Sequence, residues 1–90
     1  MSFKANDSLT EQIARFLGNQ IISGNMLPGE RIQELRIAAE LNVSRGSVRE
    51  ALLILQRRHL VDIYPRRGAI VASMTAGDVR DFFELWFVLL

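Results

Sequence analysis

The chain has 90 residues, 49% of them hydrophobic and 23% charged, with a formal net charge of +1. That composition describes one small globular domain, or one domain and the start of another, and excludes a disordered tail or a membrane protein. The chain has no cysteine, which excludes a disulfide framework and a thiolate metal site; the N-terminal "MSFKANDSL" is no signal peptide, no apolar run reaches the ~18 residues of a membrane span, and a cytoplasmic location is expected.

Residues 1–7 read as an arm. The first helix is expected to begin at Ser8, because "SLTE" is a capping box in which the Ser8 hydroxyl caps an early N–H and Glu11 reaches back. Leu9, Ile13, Phe16, Leu17 and Ile21 recur at helical spacing as its apolar face, and Gly24 is a natural stop. "LPGE", residues 27–30, reads as a turn, and the following "RI" can pair as a short strand.

A second, short helix fits residues 34–41, with Leu35, Ala38 and Leu41 inward. Asn42 then stands where a tight turn needs positive φ, Val43 is an apolar plug and Ser44 an N-cap. A third helix is expected over Arg45–Arg58, with Val48, Leu52 and Leu55 toward the core. Two helices joined by a turn of this length form a helix-turn-helix.

"LVDIY" (60–64) alternates as a strand, "PRRG" (65–68) is a turn with two arginines at its tip, and "AIVA" (69–72) is a second strand. A hairpin directly after a helix-turn-helix is a wing. The fold expected for residues 8–73 is therefore a winged helix-turn-helix, mainly α with a small β-hairpin. From Thr75 a fourth helix opens with "TAGD" and continues "VRDFFELWFVLL". Its apolar residues cover more than one face, so it expects burial that the chain itself does not supply. Either residues 74–90 are a linker and the start of a cut second domain, or this helix dimerises.

The charge is uneven. Residues 41–72 hold six arginines against two acids, whereas residues 1–40 hold four basic and five acidic residues. Ten of the eleven basic residues are arginine, whose planar fork suits phosphate oxygens and the guanine edge. At the start of the third helix, "SRGSVRE" sets Ser44, Arg45, Gly46, Ser47 and Arg49 around free N–H groups and the positive end of the helix dipole. A phosphate gains from both. The serines add hydroxyls, Gly46 lets a backbone approach, and Arg45 and Arg49, four apart, share a face that can enter a major groove. Arg66 and Arg67 at the wing tip offer a second anchor.

These motifs, "LPGERIQELRIAAELNVSRGSVREALLILQRRHLV" and "PRRGAIVA", resemble the N-terminal DNA-binding domain of the GntR family of bacterial transcription regulators over roughly residues 8–72. The tail "TAGDVRDFFELWFVLL" resembles the opening of the helical effector domain of the FadR-like branch. The resemblance implies a homodimer on a pseudo-palindromic operator in double-stranded DNA, with repression relieved or tuned by a small-molecule effector. That effector, a carboxylate or another metabolite, with or without a metal ion, would belong to the second domain. By position, Ser44, Arg45, Gly46, Ser47 and Arg49 match the family's recognition helix, and Arg66, Arg67 and Gly68 its wing. Three positions depart from the pattern. Ser47 stands where many relatives have proline. Leu35 stands where many have an arginine, and Arg36 beside it is turned by about 100°. His59 stands where glycine is usual.

Other readings of the same residues are plainer. Arg45 and Arg49 could be a solvated face, paired with Glu50 or with nothing. Glu50 is expected to orient an arginine, Arg31 or Arg36. Arg57 and Arg58 close a helix, where cations suit the dipole in any protein, and arginines at a hairpin tip also discourage edge pairing. A winged helix that binds protein would show an apolar or acidic third helix, and this one shows neither. An enzyme would need a nucleophile with its base, a metal cluster or a phosphate-binding glycine loop, and the sequence offers none of them.

Overall fold

The computed structural model describes residues 8–73, as α1 (Leu9–Ile22), β1 (Arg31–Ile32), α2 (Glu34–Leu41), α3 (Arg45–Arg57), β2 (Val61–Tyr64) and β3 (Gly68–Val71). The arm expected over 1–7 and the linker and helix expected over 74–90 lie outside the described residues. The rest is the expected winged helix-turn-helix, its strands shifted by one residue.

Helix α1 starts as its capping signal requires. Ser8 is extended, with φ −71° and ψ 156°, and its Oγ accepts from the Glu11 N–H at 3.0 Å. The buried face is Ile13, Ala14, Leu17, Gly18 and Ile21. Leu9 and Phe16, expected on that face, are instead 37% and 43% exposed. At about 100° per residue they lie on one shoulder of Leu17, while Ala14 and Gly18 lie on the other. The helix turns the small-residue shoulder inward, where a backbone can approach closest.

The same geometry corrects α2. Its buried residues are Ile37 and Ala38, with Leu41 partly buried, and Leu35 points out at 65% exposure. Ile37, Leu41 and Ala38 span an arc of about 100°, and Leu35 falls well outside it. Glu34 falls inside that arc. Asn42 takes the left-handed conformation, φ 55° and ψ 48°, and the Val43 N–H donates back to the Ala38 carbonyl at 3.0 Å. This closes α2 and turns the chain into Ser44, the N-cap of α3.

Helix α3 buries Val48, Ala51, Leu52 and Leu55. It ends in a left-handed closure at His59, φ 64°. There the His59 N–H donates to Gln56 and the Leu60 N–H to Leu55, both at 3.0 Å, the pair of bonds that defines a Schellman end. Leu60 follows into the core at 1% exposure.

The sheet has the order β1-β3-β2, all antiparallel. Val61 pairs with Val71 and Ile63 with Ala69 on the inner face, while Asp62 and Ile70 pair on the outer one. The short strand expected at "RI" forms and brings Arg31 opposite Ile70 and Ile32 opposite Ala69. Bonds from Gly29 N–H to the Val71 carbonyl (2.8 Å) and from Val71 N–H to Glu30 (2.9 Å) tie the loop after α1 to the wing. The core is one apolar cluster from all three helices and the sheet, and no polar side chain among the described residues is buried in it.

A non-glycine residue at left-handed φ costs about 1–2 kcal/mol. His59 is exposed, and its φ is 64°. The substitution His59→Gly should therefore stabilise the domain by about 1 kcal/mol and raise the thermal midpoint by about 4–8 °C. Calorimetry of the two proteins checks this, and an unchanged or lower midpoint would mean that the imidazole makes a compensating interaction.

Candidate nucleic-acid interface

The interface is built at the N-terminal end of α3. Ser44 Oγ accepts from the Ser47 N–H at 3.0 Å and donates to Ser47 Oγ at 2.9 Å. Ser47 thereby keeps its own hydroxyl proton for an outside acceptor. The N–H groups of Arg45 and Gly46 precede the first intrahelical bonds and face outward with the helix dipole. A Cβ added at Gly46 would meet only Ser44 Oγ, at 3.9 Å. The surface there is open, as close approach of another backbone requires.

Arg45 and Arg49 are both exposed and share an edge of α3. That edge flanks the buried Val48–Leu52 line at about 60–100°, rather than opposing it. Arg49 therefore leans on α2, where its Nε donates to Glu34 Oε2 at 3.1 Å. The Glu34 side chain is 21% exposed, because it shares the inner arc of α2, and that of Arg49 is 58% exposed. The bond uses Nε, so neither terminal nitrogen of the guanidinium is its donor. Glu34 also sits in the first turn of α2, where an anion is favoured.

The other expected pairings differ. Glu50 holds neither Arg31 nor Arg36, since its Oε2 accepts from Thr10 Oγ1 of α1 at 3.2 Å. Residue 50 lies on the α1 side of α3, away from both arginines. Arg36 pairs with Glu40 one turn on, at 3.1 Å. His59 lies at the far end of α3 from Ser44, and its backbone, not its imidazole, explains why glycine suits that position.

The wing supplies the second part. Arg66 and Arg67 are exposed in the turn between β2 and β3, and Gly68 starts β3 at φ +76°, which glycine takes without strain. Gly68 thus shapes the wing. Arg31, a residue the motif reading passed over, joins the site: its Nε lies 4.0 Å from the position of a Gly68 Cβ. Only the pairing of β1 with β3 reveals this, and no local signal carries it.

One open cleft of about 380 Å³ lies between part of the α3 N-terminus and the base of the wing, lined by Arg31, Glu34, Leu35, Arg36, Arg45 and Gly68 among others. Among the described residues, Arg31, Arg45, Arg66 and Arg67 make no ion pair. At the other end of α3, burial pushes the Arg58 pKa below its ordinary value, against the Glu11 carboxylate and together with Arg15 and Arg57. No cluster of His, Asp or Glu among the described residues could hold a metal ion, and no described helix is long and apolar enough to cross a membrane.

The described residues thus form a helix-turn-helix with a wing, and Arg31 and Arg45, which make no ion pair, line the cleft between the two. Residues 9–71 match the model of the gntR family of bacterial regulatory proteins, and the chain belongs to that family. It is 36% identical over 69 residues, 77% of its length, to YdhC, an uncharacterized helix-turn-helix transcriptional regulator of Bacillus subtilis strain 168. It is 34% identical over 73 residues, 81% of its length, to the transcriptional repressor RspR of Escherichia coli K12. These matches cover 31% and 32% of the relatives, so the chain spans about a third of their length. Among solved structures, a GntR transcriptional regulator from Rhodococcus sp. RHA1 superposes with a TM-score of 0.73 at 40% identity, over 86% of this chain and 37% of that one. BusR of S. agalactiae, solved with its busAB-promotor DNA, gives 0.77 at 25% identity, over 93% and 40%.

The Ser44 cap holds the end of α3 that the site is built on. Ser44→Ala should lower stability by about 1 kcal/mol, and Ser44→Gly by only a few tenths. Urea unfolding checks this: no loss in either variant would mean that the hydroxyl bond to the Ser47 N–H contributes nothing.

Proposed function

We propose that residues 8–73 bind double-stranded DNA as the reading head of a transcription regulator, with α3 in the major groove and the wing on the flanking groove or backbone. The observation that carries this is the open cleft that Arg45, at the α3 N-terminus, and Gly68, of the wing, line together; Ser44, Gly46, Ser47 and Arg49 adjoin Arg45 on α3, and Arg66 and Arg67 precede Gly68 in the wing turn. An α-helix fits the major groove, and arginine to guanine is its commonest specific contact. The relative BusR, solved on promoter DNA, supports the reading.

In this arrangement Glu34 holds Arg49 by Nε and presents the two terminal nitrogens, the pair that meets guanine O6 and N7. Arg45, with no partner of its own, serves phosphate or base, and Ser47 donates its hydroxyl to phosphate. Arg31 and the wing arginines grip the backbone, and Arg36, shared with Glu40, contributes less. His59 is structural. The branch with a helical effector domain, homodimerisation on a pseudo-palindromic operator and repression set by a small-molecule effector, a carboxylate in particular, complete the proposal. The resemblance of residues 74–90 to the start of such a domain and the named repressors among the relatives support it.

A selection from random duplexes with this chain at moderate salt tests the function. An enriched short motif containing guanine, as an inverted repeat in a dimer, is expected, whereas salt-sensitive binding with no motif would mean a grip on phosphate alone. On the enriched duplex, Arg49→Ala should cost about 1–3 kcal/mol and relax one base position. Arg67→Ala should weaken all duplexes alike and lower the slope of log K against log salt by about 0.9. A changed base preference in Arg67→Ala would make the wing a reader of bases.

A further inference from the structure

Leu35 is the most exposed large apolar side chain of the described residues, at 65%, and it lies within the interface rather than away from it. It lines the cleft together with Arg31, Arg36 and Arg45, and the cleft's one carboxylate, Glu34, is turned to Arg49. Leaving Leu35 in water sacrifices about 1.5–3 kcal/mol of burial. On α2 it lies outside the arc of Ile37, Leu41 and Ala38 that turns to the core. An apolar side chain framed by three cations suits a partner that is itself apolar at one point and anionic around it. A protein surface with an acidic rim could supply that pattern. Double-stranded DNA supplies it in a fixed form, because the thymine C5-methyl is the one apolar group on the major-groove edge and phosphates flank it on both sides.

We propose that Leu35 is a specificity-determining residue that packs on a thymine methyl beside the bases read by α3. The inference rests on the DNA-binding reading and extends it from α3 to the first turn of α2. It divides the site chemically. Arg49 reads a hydrogen-bonding edge, Leu35 reads a methyl group, and Arg31 and Arg45 hold the phosphates on either side. One position of the preferred duplex is then thymine because of its methyl and not because of its O4.

The test replaces each thymine of the selected duplex in turn by deoxyuridine, which removes the methyl and keeps every hydrogen-bonding group. Burial of one methyl corresponds to about a fourfold change in affinity. The expected result is one position at which deoxyuridine weakens the wild-type chain about fourfold and leaves binding by Leu35→Ala unchanged. Leu35→Ala removes an exposed side chain, so an unaltered thermal midpoint serves as the folding control. Insensitivity at every thymine, or a sensitivity that persists in Leu35→Ala, overturns the role of Leu35 and leaves the DNA-binding reading standing. Failure to bind any duplex overturns both, whereas salt-sensitive binding with no motif overturns the reading of bases by Leu35 and α3 and leaves a grip on phosphate standing.

Discussion

Helix α3 is the core element against which the rest of the structure packs, and on the proposed function it has to be the interface as well. Val48, Ala51 and Leu55 are wholly buried and Leu52 is 2% exposed. They form the line against which α1, α2 and the sheet all pack. Val48, Leu52 and Leu55 each contribute about 1.5–3 kcal/mol when buried, so three such side chains in one helix anchor a domain whose net stability is of the order of 5–15 kcal/mol. The core contains no polar side chain among the described residues, and nothing in it competes with close packing for its orientation. The helix is thereby fixed in rotation, and its remaining edge is presented at a defined angle.

That rotation decides which charges matter. The edge of α3 next to α2 carries Arg45 and Arg49, and the inner arc of α2 brings Glu34 to the second of them. The pair is partly exposed and contributes little to stability, about 0.2–1 kcal/mol. Its effect is on geometry: it removes much of the rotational freedom of a long side chain before any ligand arrives, so less is lost on binding. Arg45 has no such restraint and can adapt. The contrast between one held and one free arginine, four residues apart, is what a site needs to combine a directional contact with a general electrostatic one.

Much of this was legible along the chain. Ser8, Asn42 and Ser44 are local signals whose meaning depends on nearest neighbours, and each does what its chemistry demands. The helix-turn-helix and the N-terminal cluster of α3 followed from them, and the wing followed from the alternation of "LVDIY" and "AIVA" about "PRRG". What failed was rotation about a helix axis. Leu35 counts as an apolar residue at helical spacing from Ala38, and nothing local says that Ile37 excludes it. Leu9 and Phe16 fail for the same reason, because burial on α1 favours the small Ala14 and Gly18 over the larger side chains. Glu34 with Arg49 and Thr10 with Glu50 are separated by 15 and 40 residues, and Arg31 reaches the site through a strand pairing. Such pairs depend on the packed arrangement, which spacing alone does not encode.

The near-neutral net charge of +1 conceals how the site works. Two arginines of the interface are matched by carboxylates, Arg49 by Glu34 and Arg36 by Glu40, while Arg31, Arg45, Arg66 and Arg67 are unmatched among the described residues. An unmatched arginine meets phosphate with only water and counterions to displace, so it adds to affinity for any duplex and makes that affinity salt-dependent. A matched one gains less from phosphate, because the carboxylate already satisfies part of its field. It gains where geometry is rewarded, at a base edge that accepts two parallel bonds. On the proposed function, the acids beside these arginines lower indiscriminate binding more than they lower binding to the right sequence. A modest net charge is what a selective reader of DNA would be expected to carry, with the general grip left to four arginines and the discrimination to side chains held in place by the fold.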